Sequence, residues 1–288
     1  MSKKKRTEGA ARKPGQRRIS RVFLYLFVII LCLVTLYPYF VMVSYGFRSQ
    51  ADIMSENVLP SKWMWENYWY VLTSNRSIVR YLLNSIFIAS GATGIAILCG
   101  IPAAYALARM NFTGKKIFMA IIVVSQMFSP VVLLVGIQRI LLTFGLNNSD
   151  FGLILIDAAF NQAFAVWLLQ GTFRGISPEM EQASRIDGCT RGQSITRVLL
   201  PMAAPGIVTT LIFIFINAWN EYTIAFVMIS DDKLKPITVG INLFNGYNMI
   251  EWNHLFAASV FATIPVVILF MAIEKNLVSG LTSGGVKS

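Results

Sequence analysis

Charge is what this sequence has least of. Only 14% of its 288 residues are Asp, Glu, Lys or Arg, against 55% hydrophobic residues. Soluble domains carry about 25% charged residues, so a soluble globular enzyme is excluded and a membrane protein is indicated. Histidine is nearly missing: His254 stands alone, and no His, Cys, Asp and Glu set has metal-ligand spacing. Cys32, Cys99 and Cys189 are an odd number. Two of them lie in apolar runs and one in a polar connection, so no disulfide framework is indicated. No phosphate-cradling loop of the form G-x-x-x-x-G-K-S/T is present. No nucleophile–base pair or carboxylate pair can be assembled. Catalytic and metal-binding residues are therefore expected to be none, and any ATP used must be hydrolysed on another chain.

Acidic residues are scarcest at the start. Nine Lys/Arg precede Val22, with Glu8 the only acid among them. A nucleic-acid arm is the sharper reading of such a tail. A basic cytoplasmic anchor fits better, because a long uncharged run begins directly after it, so no nucleic acid is expected as a partner. Residues 1–21 are expected to be disordered.

What is present is a series of long apolar runs. Residues 22–47 carry no charge and no cleavage pattern comes after them, which predicts an uncleaved first span. Further spans are predicted at about 81–108, 117–142, 151–172, 206–229 and 254–273. Pro130 predicts a kink in the third. The domain boundaries read as a basic tail 1–21, a six-span body 22–274 and a Gly/Ser-rich cytoplasmic tail 275–288. Trp63, Trp65, Tyr68, Trp69 and Tyr70 cluster in the first outer loop. They suit the headgroup level of membrane lipid or a lip for a soluble partner.

Six spans put both termini on one side. That side carries 18 Lys/Arg, the other 6, and Arg139 lies within the third span. The positive-inside rule places both termini, and the connection 177–201, in the cytoplasm.

That connection is built like a docking element. Ser177 and Pro178 form a helix start, and Glu179 and Glu181 sit in the first turn, where the helix dipole favours acids. Gly188 is a natural stop. A second short helix is expected from about Gln193 to Leu200, ending before Pro201 and Pro205.

Polar groups also fall inside predicted spans. Asp157, Asn161 and Gln162 lie on the fourth, and Asn217, Asn220 and Glu221 share a face of the fifth. Asn217 is expected near mid-bilayer, roughly 18 Å from Pro205. For Asn161, Asn217 and Asn220, interhelical hydrogen bonding and a hydrophilic translocation pathway both stand. Asp157 and Glu221 read as solvated or paired groups nearer the outer surface.

The run from Trp167 to Tyr222 resembles the inner-membrane permeases of ATP-binding cassette importers, of the maltose-type carbohydrate-uptake family. Gln182, Ala183 and Ser184, then Arg185, Ile186, Asp187 and Gly188, then Val198 to Pro201, keep the spacing of that family's Glu-Ala-Ala loop. Gln182 departs from the usual Glu, and Ser184 from the usual Ala. INAWNEY, SGLTSGGVKS and AAYALARMNFTGKK resemble further family segments. The resemblance implies an all-α membrane protein of six transmembrane helices, with a cytoplasmic coupling helix between spans four and five. It implies that Glu181, Gln182, Ala183, Ser184, Asp187, Gly188 and Pro201 couple to an ATPase. It implies as partners a second homologous permease, two cytosolic ATP-binding cassette subunits carrying ATP and Mg, and an extracytoplasmic sugar-binding protein. No cofactor is expected on this chain. Another solute on the same architecture, such as a glycerol phosphate ester or a polyamine, is a competing reading. A self-contained secondary transporter would lack the docking loop.

Overall fold

The computed structural model describes residues 14–54, 58–74, 78–246 and 249–285, with side chains from 22 to 271. The described residues form helices and no strand, only one isolated antiparallel bridge between Asn245 and Ile250. The long helices are α1 (Pro14–Gly46), α4 (Ile78–Arg109), α7 (Asp150–Gly175), α9 (Arg191–Trp219) and α12 (Trp252–Gly285). Short helices join them: α2 (Gln50–Ile53), α3 (Glu66–Thr73), α5 (Lys115–Ser125), α6 (Pro130–Thr143), α8 (Pro178–Ile186), α10 (Thr223–Met228) and α11 (Ile237–Ile241).

Five helices are each long and apolar enough to cross a membrane, and α5 with α6 makes a sixth crossing if the pair is one span. The kink expected in that span is a full break: the two helices meet at 101°. Pro130 lacks the N–H that would continue the ladder, and Ser129 before it is extended, as the proline ring demands.

Three other expectations need correcting. Helix α1 begins at Pro14 and so takes in residues 14–21, read from sequence as disordered; residues 1–13 lie outside those described. Proline suits a first helical turn, where its missing donor costs nothing. Helix α12 runs on to Gly285, through most of the segment read as a tail. No proline interrupts the run from 266 onward. Third, Pro201 and Pro205 do not stop a helix. A π-helical turn at Ile195–Leu199, where the Leu200 N–H reaches the Ile195 carbonyl, leads without interruption into the membrane helix. The widened turn absorbs the donor lost at Pro201.

The core is the seam between α4 and α7. Ala89, Ala92, Ala96 and Ala104 meet Ala158 and Ala165, all buried, so the two backbones approach closely. Helix α9 crosses α7 just as tightly at Gly206, where a Cβ would fall against the Thr172 side chain. Gly206→Leu is therefore expected to cost about 1–3 kcal/mol by overpacking, read as a lower unfolding temperature in detergent. An unchanged melt would mean that this crossing carries no stability. Helix α1 stands apart: its side chains from Val22 to Phe40 are exposed, and it meets the bundle near Tyr45, whose ring lies edge-on to Phe256 at 5.3 Å.

The loop between α1 and α4 is pinned by buried Arg48, which pairs with Asp52 at 3.2 Å. Asp52 also accepts from the Ser61 N–H and hydroxyl. The Ser61 N–H first, then Arg48, holds its carboxyl below the usual range. Phe47 packs on Trp63, Trp65 and Tyr68, while Trp65 and Trp69 remain exposed.

Candidate functional site

Two sites lie on one continuous frame. The first is at the end of the bundle where α4 finishes, α7 finishes and α9 begins. Ser177 caps α8 by accepting the Glu179 N–H at 3.3 Å, and Pro178 opens the helix. At the other end Gly188 has φ +88°, the left-handed conformation that ends a helix at low cost only in glycine. The Cys189 N–H then reaches the Ser184 carbonyl at 3.1 Å. Thr190 and Gln193 form a reciprocal capping box that starts α9.

The residues of α8 divide by face. Gln182, Ala183, Asp187 and Gly188 are exposed, together with Met180 and Ile186, the latter 85% exposed. Pro201 is also exposed, further along α9. Glu181 and Ser184 instead turn into their own chain. The Ser184 hydroxyl lies 2.6 Å from that of Ser194 and donates to the Glu181 carbonyl at 2.8 Å. Glu181 accepts from the Tyr105 hydroxyl at 2.6 Å and faces the Arg109 Nε at 3.6 Å, with both charged side chains about nine-tenths buried. At that separation the second contact is an ion pair rather than a hydrogen bond. Arg109 meanwhile donates through Nη2 to the Ile176 carbonyl at 2.7 Å. Glu181 is thus a strut between α8 and the end of α4, a role that sequence reasoning missed. Its turn of about 100° from Gln182 was the available signal.

The second site lies within the membrane part. A cavity of about 270 Å³ opens where the α5–α6 break meets α7 and α9. Asn217 donates to the Asn161 side-chain oxygen at 3.2 Å, and Asn161 donates to the Asp157 carbonyl at 2.8 Å. Gln126 and Ser125 enter from the break, and Glu221 closes the far side. The Glu221 carboxylate accepts the N–H groups of Ile224 and Ala225, at 2.7 and 3.0 Å, and so caps α10.

Asn161 and Asn217 are brought together; Asn220 is not with them. Helix α9 ends at Trp219, Asn220 falls at its cap, and its side chain lines a separate cavity with Thr238 and Ser259. Asp157, read from sequence as a solvated or paired surface group, is only 4% exposed and lines the first cavity.

Comparison with known proteins decides what kind of molecule carries these sites. The sequence model of binding-protein-dependent transport system inner membrane components matches residues 96–283. The chain belongs to this permease family. It is 34% identical to the probable ABC transporter permease protein YurM of Bacillus subtilis, over 92% of this chain and 87% of the relative. It is 30% identical to the trehalose/maltose transport system permease protein MalG of Thermococcus litoralis, over 93% and 98%. Its fold matches a chain of a bacterial ABC transporter involved in import of the acidic polysaccharide alginate, with TM-score 0.76 and 23% identity, covering 93% of this chain and 99% of the other.

As a permease, the chain needs no reacting atoms of its own. Among the described residues no group of three His, Cys, Asp or Glu could hold a metal ion. The arrangement can do two things: present an exposed short helix at one end, and surround a polar space in the membrane.

Proposed function

We propose that this permease is the membrane subunit of an ATP-driven importer for a sugar or oligosaccharide, and that α8 is its coupling helix. The observation that carries this reading is the division of α8. Its outer face, Met180, Gln182, Ala183 and Ile186, has no partner within the described chain, while its inner face is bolted to α4 and α9. A short amphipathic helix presented in this way suits a groove on another rigid body. The names of the relatives supply the cargo class.

In this reading α8 and both termini face the cytoplasm, in line with the excess of Lys/Arg there. Two cytosolic ATP-binding cassette subunits carry ATP and Mg and hydrolyse it; this chain is not an enzyme and binds no cofactor. A second, homologous permease completes the pathway. An extracytoplasmic sugar-binding protein delivers cargo to the outer loops, where Trp65 and Trp69 are exposed. Gln182, Ala183, Asp187 and Gly188 meet the ATPase. Glu181 and Ser184 transmit its movement inward, and Pro201 marks where the coupling segment becomes membrane helix.

The transmission has a physical route. Ser184 holds α8 against Ser194 at the start of α9, and α9 continues unbroken to Asn217. At 1.5 Å per residue the two ends are about 35 Å apart. Closure of the ATPases moves α8, and the stiff helix carries that displacement to the cavity. ATP and binding protein shift the equilibrium only by preferring one state; going from 1:99 to 99:1 takes about 5.5 kcal/mol.

Gentle purification of the tagged chain, with its companions identified and uptake of labelled sugars measured in cells lacking it, tests the assignment. A complex free of any ATPase would overturn it. Gln182→Glu restores the family's usual charge on an exposed face and is expected to leave transport at or above the parental rate. Complete loss of uptake would place the coupling frame elsewhere.

A further inference from the structure

We propose that α3 lies along the membrane surface, with Trp65 and Trp69 set among phospholipid headgroups as an anchor for the ends of α1 and α12. This role is independent of cargo and of any ATPase.

The height of α3 is set by its contacts with the membrane helices. The apolar run of α1, Val22–Gly46, holds 25 residues. At 1.5 Å per residue it is about 37 Å long, against about 30 Å of hydrocarbon. Its last turn therefore stands where hydrocarbon gives way to headgroups. Helix α3 is fastened beside that turn, not above it. The Tyr68 hydroxyl donates to the Val43 carbonyl at 3.1 Å. The Asn67 amide donates to the Gly46 and Arg48 carbonyls, each at 2.9 Å. The Ser44 hydroxyl donates to the Val58 carbonyl at 2.6 Å, which draws the chain before α3 to the same level. Toward α12, the Tyr68 ring lies edge-on to Phe261 at 5.9 Å, and the Asn253 amide donates to the Asn67 side-chain oxygen at 3.0 Å.

The side chains of α3 are ordered about its axis as an interfacial helix requires. Tyr68 marks the direction of the membrane interior, because its ring meets the sides of two spans. At about 100° per residue, Trp65 and Trp69 stand about 60° and 100° from it, and Thr73 and Glu66 about 140° and 160°. All four are exposed, the two tryptophans at 69% and 68%. Asn67 and Val71 fall on the other flank and are buried against the protein. Helix α3 thus has protein on one flank, tryptophan on the other and a carboxylate directed away from the bilayer. An indole has a broad apolar ring and one N–H, which suits the boundary where lipid ester and phosphate oxygens begin. Below it α1, exposed from Val22 to Phe40, continues the apolar surface. A soluble binding protein would approach from the Glu66 side, not from the flank that carries the tryptophans.

The test places the purified full-length permease, with the subunits that accompany it, in nanodiscs of phosphatidylcholine. The acyl chains are plain, brominated at carbons 6 and 7 just below the headgroups, or brominated deeper at carbons 11 and 12. Trp65→Phe with Trp69→Phe removes two of the six tryptophans, so the difference from the parental fluorescence is theirs. That difference should fall by about half or more with the shallow bromines and less with the deep ones. A difference that neither lipid reduces, or that the deep bromines reduce more, would overturn the anchor. Aqueous iodide then names what covers the face instead: quenching marks water or a soluble partner, and protection marks the second permease. A measurement without any variant guards against misfolding. A phospholipid with a photoreactive diazirine next to its headgroup should label the tryptic peptide 63–76 of the parental chain. Labelled spans with that peptide left unlabelled would equally overturn the anchor.

Discussion

Arg109→Glu is expected to abolish solute accumulation while leaving the subunits assembled and ATP hydrolysis running. Arg109 joins three elements: it faces Glu181 on α8, holds the Ile176 carbonyl beyond α7, and ends α4. Replacing it with glutamate sets two carboxylates against each other where the present side chains are 10% and 12% exposed. Breaking one side of a largely buried pair costs about 3–5 kcal/mol, enough to release α8 from α4. The outer face of α8 is untouched, so docking survives while transmission fails. The double variant Arg109→Glu with Glu181→Arg should recover part of the transport, because the pair is remade with its sign reversed. Tyr105→Phe should be far milder, at about 1 kcal/mol for one hydrogen bond. The readout is ATP hydrolysed per sugar accumulated in proteoliposomes. A ratio unchanged in Arg109→Glu would show that the strut transmits nothing.

Gly188→Val is expected to uncouple transport nearly as completely, for a different reason. Nothing lies within 4 Å of where a Cβ would stand, so the substitution meets no wall. Its cost is in the backbone. At φ +88° an ordinary L-residue loses about 1–2 kcal/mol, and a β-branched one more. The turn then relaxes, and α8 leaves the angle at which its outer face is presented. Asparagine tolerates the left-handed region better, so Gly188→Asn should retain most of the activity that Gly188→Val loses. Equal activity of the two variants would mean that the left-handed turn is not what coupling requires.

These two positions differ in how far they could be read before folding. Helix starts and stops around α8 were legible because Ser177, Pro178 and Gly188 act on their own local backbone. The apolar runs located the spans except the fifth, expected at about 206–229, where the long helix starts at Arg191 and ends at Trp219 and Thr223–Met228 is a separate short helix. What stayed hidden depended on partners distant in sequence. Nothing local shows that Glu181 meets Tyr105 and Arg109, because that contact exists only once α4 and α8 share one end of the bundle. Nor does spacing reveal that Asn220 departs from Asn217. Three residues are neighbours on a helix, but α9 stops between them. The prolines mislead in both directions. Pro130 breaks its span more sharply than a kink, because the residue before it is also extended. Pro201 and Pro205 break nothing, because a π turn makes room for them. The depth of Asp157 is equally non-local: it is buried on α7 beside a cavity shared with the α5–α6 break and α9.

The π turn at 195–199 has a geometric consequence of its own. It holds one residue more than an α-helical turn would, and each residue of an α-helix advances the azimuth by about 100°. The direction in which Asn217 points is therefore set, relative to the coupling end, by that single extra residue. Shortening the turn to a regular one would leave α9 intact and both sites chemically unchanged. It would also swing Asn217 about a quarter turn or more away from Asn161. The bulge is a phase adjuster: it sets the direction of the exposed α8 end against the direction of the polar cavity.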